Sequence, residues 1–173
     1  MHIFLIGFMG SGKSYLGRRL AGAMERPFID LDEQIETGVG KSITEIFSDE
    51  GEQAFRKLEA EYLRKCKTIP PAIIACGGGT PVYNDNMDWM NRTGMTIFLD
   101  VSLDILVARL RPETAHRPLL AQQKDLRQFL KNKLEERRPI YEKAQIRMVL
   151  GNPDTDIVRL VVDHLNYYHP ELK

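Results

Sequence analysis

The sequence predicts an α/β fold, a parallel sheet covered by helices on both faces. Two observations lead there. Five short stretches, at 2–6, 27–31, 73–76, 95–101 and 146–150, are rich in apolar residues and separated by helical sequence. That is the pattern of parallel strands buried on both sides. A glycine-rich turn also stands between the first strand and the first helix. The 173 residues suit one domain, large enough to bury a core without staples.

Charge narrows the field. The chain holds 24 Lys and Arg against 24 Asp and Glu, a formal balance of zero. A general nucleic-acid binder would be basic, so no nucleic-acid partner is expected. No apolar run approaches the roughly 20 residues of a membrane span, and the apolar start lacks a basic region before it. No membrane association is expected, and the cytoplasm is the expected location. Cys66 and Cys76 match no metal or redox spacing and read as one buried and one incidental thiol. Residues 30–61 carry ten acids and three bases, whereas residues 109–147 carry eleven bases and five acids. Most of these are solvated helix faces, but the asymmetry favours a polyanion beside the basic stretch.

The elements have local signals. After the first strand a helix is expected from about residue 13 to 24. Ser42 and Glu45 form an S-x-x-E capping box. Asn84 and Ser102 are candidate N-caps, and Asn152 with Pro153 reads as a cap and first-turn proline. Ile157, Leu160, Val161 and Leu165 form a core-facing stripe on the last helix. Residues 111–123 lack a period, hold two prolines and read as a mobile loop. Trp89 reads as core or interhelical packing.

Gly7-Phe8-Met9-Gly10-Ser11-Gly12-Lys13-Ser14 matches G-x-x-x-x-G-K-[ST] in its required strand–turn–helix setting. Such a loop wraps a phosphate with backbone N–H groups, and the helix N-terminus adds partial positive charge. Lys13 would reach the β- and γ-phosphates and Ser14 would ligate Mg²⁺. Gly10, Ser11, Gly12 and Tyr15 complete the expected nucleotide contacts. No guanine-reading N-K-x-D is present, and the third strand ends in glycines rather than an acid. The size favours a small-molecule kinase.

The second strand ends Asp30-Leu31-Asp32. If both acids lie on strand, they point the same way into one cleft; one would serve the Mg²⁺ side and the other an acceptor hydroxyl. The alternative is that Asp32 caps the next helix. Arg56 has Glu52 and Glu59 at helical spacing, and spacing alone favours a plain surface pair.

These pieces carry a resemblance. The loop with Met9, Asp30-x-Asp32, Gly51-Glu52-x-x-Phe55-Arg56-x-x-Glu59, Gly77-Gly78-Gly79, Arg117-Pro118-Leu119 and Arg137-x-Pro139-x-Tyr141 occur in that order. Together they resemble the shikimate kinase family over essentially the whole chain. The resemblance implies a three-layer P-loop fold of the nucleoside monophosphate kinase type, five parallel strands in order 2-3-1-4-5. It implies ATP, Mg²⁺ and phosphoryl transfer to the 3-hydroxyl of shikimate.

Carried over by motif, Asp32 binds shikimate hydroxyls and Asp30 sits on the Mg²⁺ side, through water. Arg56 and Arg137 hold the shikimate carboxylate, with Glu59 orienting Arg56, and Gly77, Gly78 and Gly79 line the pocket. Arg117 reaches the phosphates from a lid at about 111–123, and the shikimate-binding region spans about 32–62 of one domain covering 1–173. Lys13, Asp32 and Arg117 are the implied catalytic set. A planar guanidinium fork suits a carboxylate, which agrees with two arginines.

The register of R-x-P-x-Y selects Arg137, with Arg138 as the alternative if it slips by one. Pro139 is expected to interrupt its helix. Arg109 and Arg111 are both candidates for contacting adenine. Whether Asp32 removes a proton or only orients the hydroxyl stays open. A monomer is expected. The rivals are a gluconate or nucleoside monophosphate kinase, and a non-catalytic nucleotide switch.

Overall fold

The computed structural model describes residues 1–112, 125–152 and 156–170. Five parallel strands form one sheet in the order β2-β3-β1-β4-β5. They are β1 (His2–Ile6), β2 (Phe28–Asp30), β3 (Ile73–Ala75), β4 (Gly94–Val101) and β5 (Ile146–Leu150). The helices are α1 (Lys13–Ala23), α2 (Leu31–Val39), α3 (Ile43–Lys65), α4 (Asn86–Thr93), α5 (Leu103–Leu110), α6 (Leu126–Tyr141) and α7 (Ile157–Tyr168). Among the described residues no helix is long and apolar enough to cross a membrane.

The strand order decides burial. Every residue of β1, β3 and β4 is buried. The edge strands depart from the expectation of burial on both faces. β2 is only partly buried, and β5 alternates, with Arg147 and Val149 outward. An edge strand has a neighbour on one side only, so helices cover it incompletely.

Register brings three strand ends level. Leu5 pairs with Ala75, and Ala75 pairs with Asp30. With neighbouring strands about 4.8 Å apart, the turns leaving β1, β2 and β3 lie side by side at the carboxyl end of the sheet. Ligands bind open α/β sheets at that end.

Several local expectations hold and several need correction. The capping box closes both ways: Glu45 N donates to Ser42 Oγ at 3.2 Å, and Ser42 N donates to Glu45 Oε2 at 2.7 Å. Ser102 occupies the N-cap position of α5 without a side-chain capping bond. The cap of α4 is Asp85, not Asn84, whose amide instead donates to Arg56 O at 2.9 Å.

The cap of α7 is Asp156, not Asn152; Pro153 lies outside the described residues. Val161 and Leu165 of the expected stripe are buried, but Leu160 is exposed. Pro139 does not interrupt α6, which runs on to Tyr141. Tertiary ties on both sides of the proline, from Arg138 and Tyr141, hold that last turn. Both thiols are buried, so neither is incidental; burial pushes Cys66 up to about 11. Trp89 packs edge-on against Phe4, with the Arg64 guanidinium over its ring at 4.7 Å.

Candidate active site

The phosphate loop follows β1 and opens α1, as its motif requires. Gly12 caps α1 with φ 92, a conformation that suits glycine and leaves the first helical N–H groups facing outward. Lys13 folds back over the loop, with Nζ donating to Gly7 O at 3.0 Å and Phe8 O at 2.9 Å. Those carbonyls hold the ammonium above the loop its backbone encloses.

The two acids meet by a route other than strand alternation. β2 ends at Asp30, and Asp32 already lies in the first turn of α2. Asp30 is the helix cap: its Oδ1 accepts from Asp32 N at 3.2 Å. Its Oδ2 accepts from Ser14 Oγ at 2.6 Å. The capping role imagined for Asp32 therefore belongs to Asp30, and Asp32 is left to face the cleft. Burial, then the nearby Glu59 and Asp30 carboxylates, push Asp32 up from 3.8 to about 6.

Two buried side-chain oxygens among the described residues have no partner within the protein, Ser11 Oγ and Asp32 Oδ1. Both residues line a cavity at the site. Ser14 Oγ and the Asp30 carboxylate are adjacent hard oxygen donors at the phosphate loop. That donor set fits Mg²⁺.

The guanidiniums come from opposite sides. Arg56, on α3 beyond a break at Gly51 (φ 81), donates from Nη1 to Glu59 Oε2 at 2.6 Å and from Nη2 to Glu52 Oε1 at 2.9 Å. Glu59 is wholly buried and Glu52 is exposed. Both pairings read from spacing are therefore present, but the Glu59 pair is buried. Arg137 comes from α6, with its guanidinium over the Phe8 ring at 5.7 Å.

The triple glycine lets both approach. A Cβ on Gly79 would lie 2.4 Å from Arg56 Nη1, and one on Gly78 would lie 3.4 Å from Arg137 Nη1. Adjacent Cα atoms are about 3.8 Å apart, so the two forks flank one short backbone segment. The Tyr141 hydroxyl donates to Gly78 O and fixes that segment from α6.

Arg138 points the other way. It grips Asp100 at the end of β4, with Nη1 and Nη2 at 3.0 and 2.8 Å from its two oxygens, and Arg147 joins at 2.6 Å. Of the two adjacent arginines, Arg137 is the one that lines the cavity.

One cavity of about 370 Å³ is lined by Lys13, Ser14, Asp32, Arg56, the triple glycine and Arg137, among others. A second, of about 520 Å³, adjoins it across Gly10, Gly12 and Tyr15 and is flanked by Arg109. Arg109 donates from Nη1 to Gly10 O at 3.1 Å. Arg111 does not line either cavity. Arg117 and nearly all of the expected lid lie outside the described residues. The sequence reading missed Tyr83, whose ring lies 4.6 Å from the Arg56 guanidinium. It also missed Thr80, whose only signal is its position after the triple glycine.

The family model described as shikimate kinase matches residues 9–166. A shikimate kinase of Bacteroides fragilis is 44% identical over 146 residues, 83% of this chain and 82% of that protein. The crystal structure of the shikimate kinase from Bacteroides thetaiotaomicron aligns with a TM-score of 0.88 at 38% identity, covering 96% of this chain and 97% of that one. The shikimate kinase from Acinetobacter baumannii in complex with shikimate aligns with a TM-score of 0.87 at 30% identity, covering 98% and 93%. On the match to the family model and the identity to its members, the chain belongs to the shikimate kinase family.

Proposed function

We propose that this protein transfers the γ-phosphoryl group of ATP to the 3-hydroxyl of shikimate, with the ring held between Asp32, Arg56, the loop Gly77–79 and Arg137. The observation that carries the assignment of residues is the pair of guanidiniums on consecutive glycines, in the same cavity as the Asp32 carboxyl group. Shikimate offers one carboxylate for the arginine forks and three hydroxyls for Asp32.

Each residue has a physical task. Gly10, Ser11, Gly12 and the N–H groups opening α1 cradle the phosphates. Lys13 stabilises charge on the β- and γ-oxygens, and Tyr15 and Arg109 border the space for ribose and base. Ser14, and Asp30 through water, would hold Mg²⁺, which when bound neutralises phosphate charge. Asp32 accepts the hydrogen bond of the attacking hydroxyl and can take its proton. Its raised affinity for a proton suits that role. A loose transition state asks more of positioning than of base strength.

Arg117, in a lid at about 111–123, is assigned to the transferring phosphoryl group on the family motif. A closing lid keeps water from the phosphoryl group. The shikimate-binding region is assigned to about 32–62, which holds Asp32, Arg56 and Glu59, within one domain spanning 1–173. The enzyme is taken to act as a monomer, and in the cytoplasm, where ATP is supplied.

The test is ADP release from Mg-ATP with and without shikimate, with gluconate and AMP as controls. Turnover that needs shikimate and collapses in Arg56→Ala supports the assignment. Turnover with gluconate or AMP overturns the acceptor site, and ATP binding without turnover on any acceptor favours the nucleotide switch.

A further inference from the structure

Arg56 is tethered to the turn after the triple glycine by two independent routes. The first runs through side chains. Arg56 Nη1 donates to Glu59 Oε2, and Thr80 Oγ1 donates to Glu59 Oε1 at 2.6 Å. The second joins the backbone carbonyls of Thr80 and Arg56 through the side chains of Asn86, Arg64 and Asn84. Asn86 Nδ2 donates to Thr80 O at 2.8 Å, and Arg64 Nη1 donates to Asn86 Oδ1 at 2.7 Å. Arg64 Nη2 donates to Asn84 O at 3.1 Å, and Asn84 Nδ2 donates to Arg56 O at 2.9 Å. The circuit begins and ends at Arg56. Glu59, Thr80 and Asn86 are all wholly buried.

We propose that Thr80 is a positioning residue for substrate recognition: its hydroxyl fixes the Glu59 carboxylate, whose other oxygen aims Arg56 at the carboxylate of shikimate. The terminal torsion of a glutamate is broad, so one partner leaves the carboxylate plane free to rotate. A donor on each oxygen fixes it. Both bonds involve a charged group in a buried place, where they are strong and where losing one leaves an unsatisfied oxygen.

Crowding leaves Glu59 few other choices. A Cβ on Gly77 would lie 2.9 Å from Asp32 Oδ1, 2.9 Å from Glu59 Oε1 and 3.1 Å from Thr80 Oγ1. Three side-chain oxygens converge there, and the Thr80 hydroxyl supplies the proton that one of them needs. Without it, Glu59 Oε1 faces the Asp32 carboxylate with no donor between them. Glu59 then turns away, and its hold on Arg56 slackens. Glu52 cannot replace it, because that carboxylate is solvated.

The inference rests on placing the shikimate carboxylate against Arg56, so Arg56→Ala is measured alongside. Thr80→Ser and Thr80→Ala both lose the methyl group and differ only in the hydroxyl. The Ala variant is expected to raise KM for shikimate about tenfold, the scale of one charge-assisted hydrogen bond. Its KM for MgATP stays within about twofold and its kcat within about threefold of the parent enzyme, and the Ser variant restores KM for shikimate.

With a shikimate analogue carrying a hydroxymethyl group in place of the carboxylate, Ala and Ser variants should perform alike. Equal KM values for Ser and Ala with shikimate, or a parallel rise in KM for MgATP, overturn the proposal. If Thr80→Ala does not fold, Thr80→Val, which keeps the volume, takes its place. If neither accumulates as folded protein, Thr80 is a folding element and the proposal fails. An unchanged KM in Arg56→Ala overturns the placement of the carboxylate instead.

Discussion

Replacing Asp32 by asparagine should make the ligand-free protein more stable while disabling it. The carboxyl group is raised from 3.8 to about 6, first by burial and then by Glu59 and Asp30. A rise of that size corresponds to about 3 kcal/mol between the two protonation states. Between pH 4 and 6 the folded protein keeps a proton that the unfolded chain has released. Stability therefore falls as pH rises through that window and levels off above about 6. At pH 8 the folded protein carries an ionised Asp32 at the full cost. Asparagine has the same shape and no charge.

The Asn variant should accordingly exceed the parent protein by about 2–3 kcal/mol at pH 8, or roughly 5–10 °C in Tm for a chain of this length. The gap should narrow to about 1 kcal/mol at pH 4.5, because the folded protein still holds the Asp32 proton and this pH lies only a little above the unfolded value of 3.8. Urea denaturation at the two pH values measures both gaps. Shikimate-dependent ADP release should fall by about 10²–10⁴-fold. An Asn variant less stable than the parent at pH 8, or a gap independent of pH, refutes the reasoning about Asp32.

Other outcomes follow from the same geometry. Arg137→Ala should raise KM for shikimate by at least about tenfold with little effect on stability, since its guanidinium faces the cavity. Arg138→Ala should do the reverse: about 1–3 kcal/mol lost in denaturation, because Asp100 keeps only Arg147, and a KM near the parent value. Gly79→Ala fits its backbone, whose φ is −89, but its Cβ lands 2.4 Å from Arg56 Nη1. Steady-state kinetics should show KM for shikimate rising about tenfold or more and KM for MgATP unchanged. Ser42→Ala should cost about 1 kcal/mol by removing the cap of α3, and turnover should persist. A loss of activity there would mean that α3 needs its first turn to place Arg56.

Much of this protein was legible in one dimension because the determinants are local. The five strands and the phosphate loop come from short runs of sequence, and the Ser42–Glu45 box closes within one turn. The family resemblance supplied the sheet order, and the sheet has that order. Its assignments of Asp32, Arg56, Gly77–79 and Arg137 fall on one cavity. The choice of cap failed at Asn84 because its side chain serves a partner 28 residues away. Strand alternation failed at Asp32 because α2 begins one residue after β2 ends.

By itself the sequence determined the chemistry on offer: a phosphate cradle, two carboxylates, and arginines on either side of a glycine run. Their spacing along the chain was enough to place the phosphate loop and Arg56, but not Asp32, which was expected on the strand and lies in the first turn of α2. Only the tertiary structure decided which groups act together. It turned Arg137 toward the cavity and Arg138 toward Asp100, made Asp30 the cap that frees Asp32, and set Thr80 against Glu59. Those decisions depend on which side chains are buried beside which, over separations of 2 to 38 residues. Burial sets the cost of an unpaired charge, and burial is a property of the folded whole.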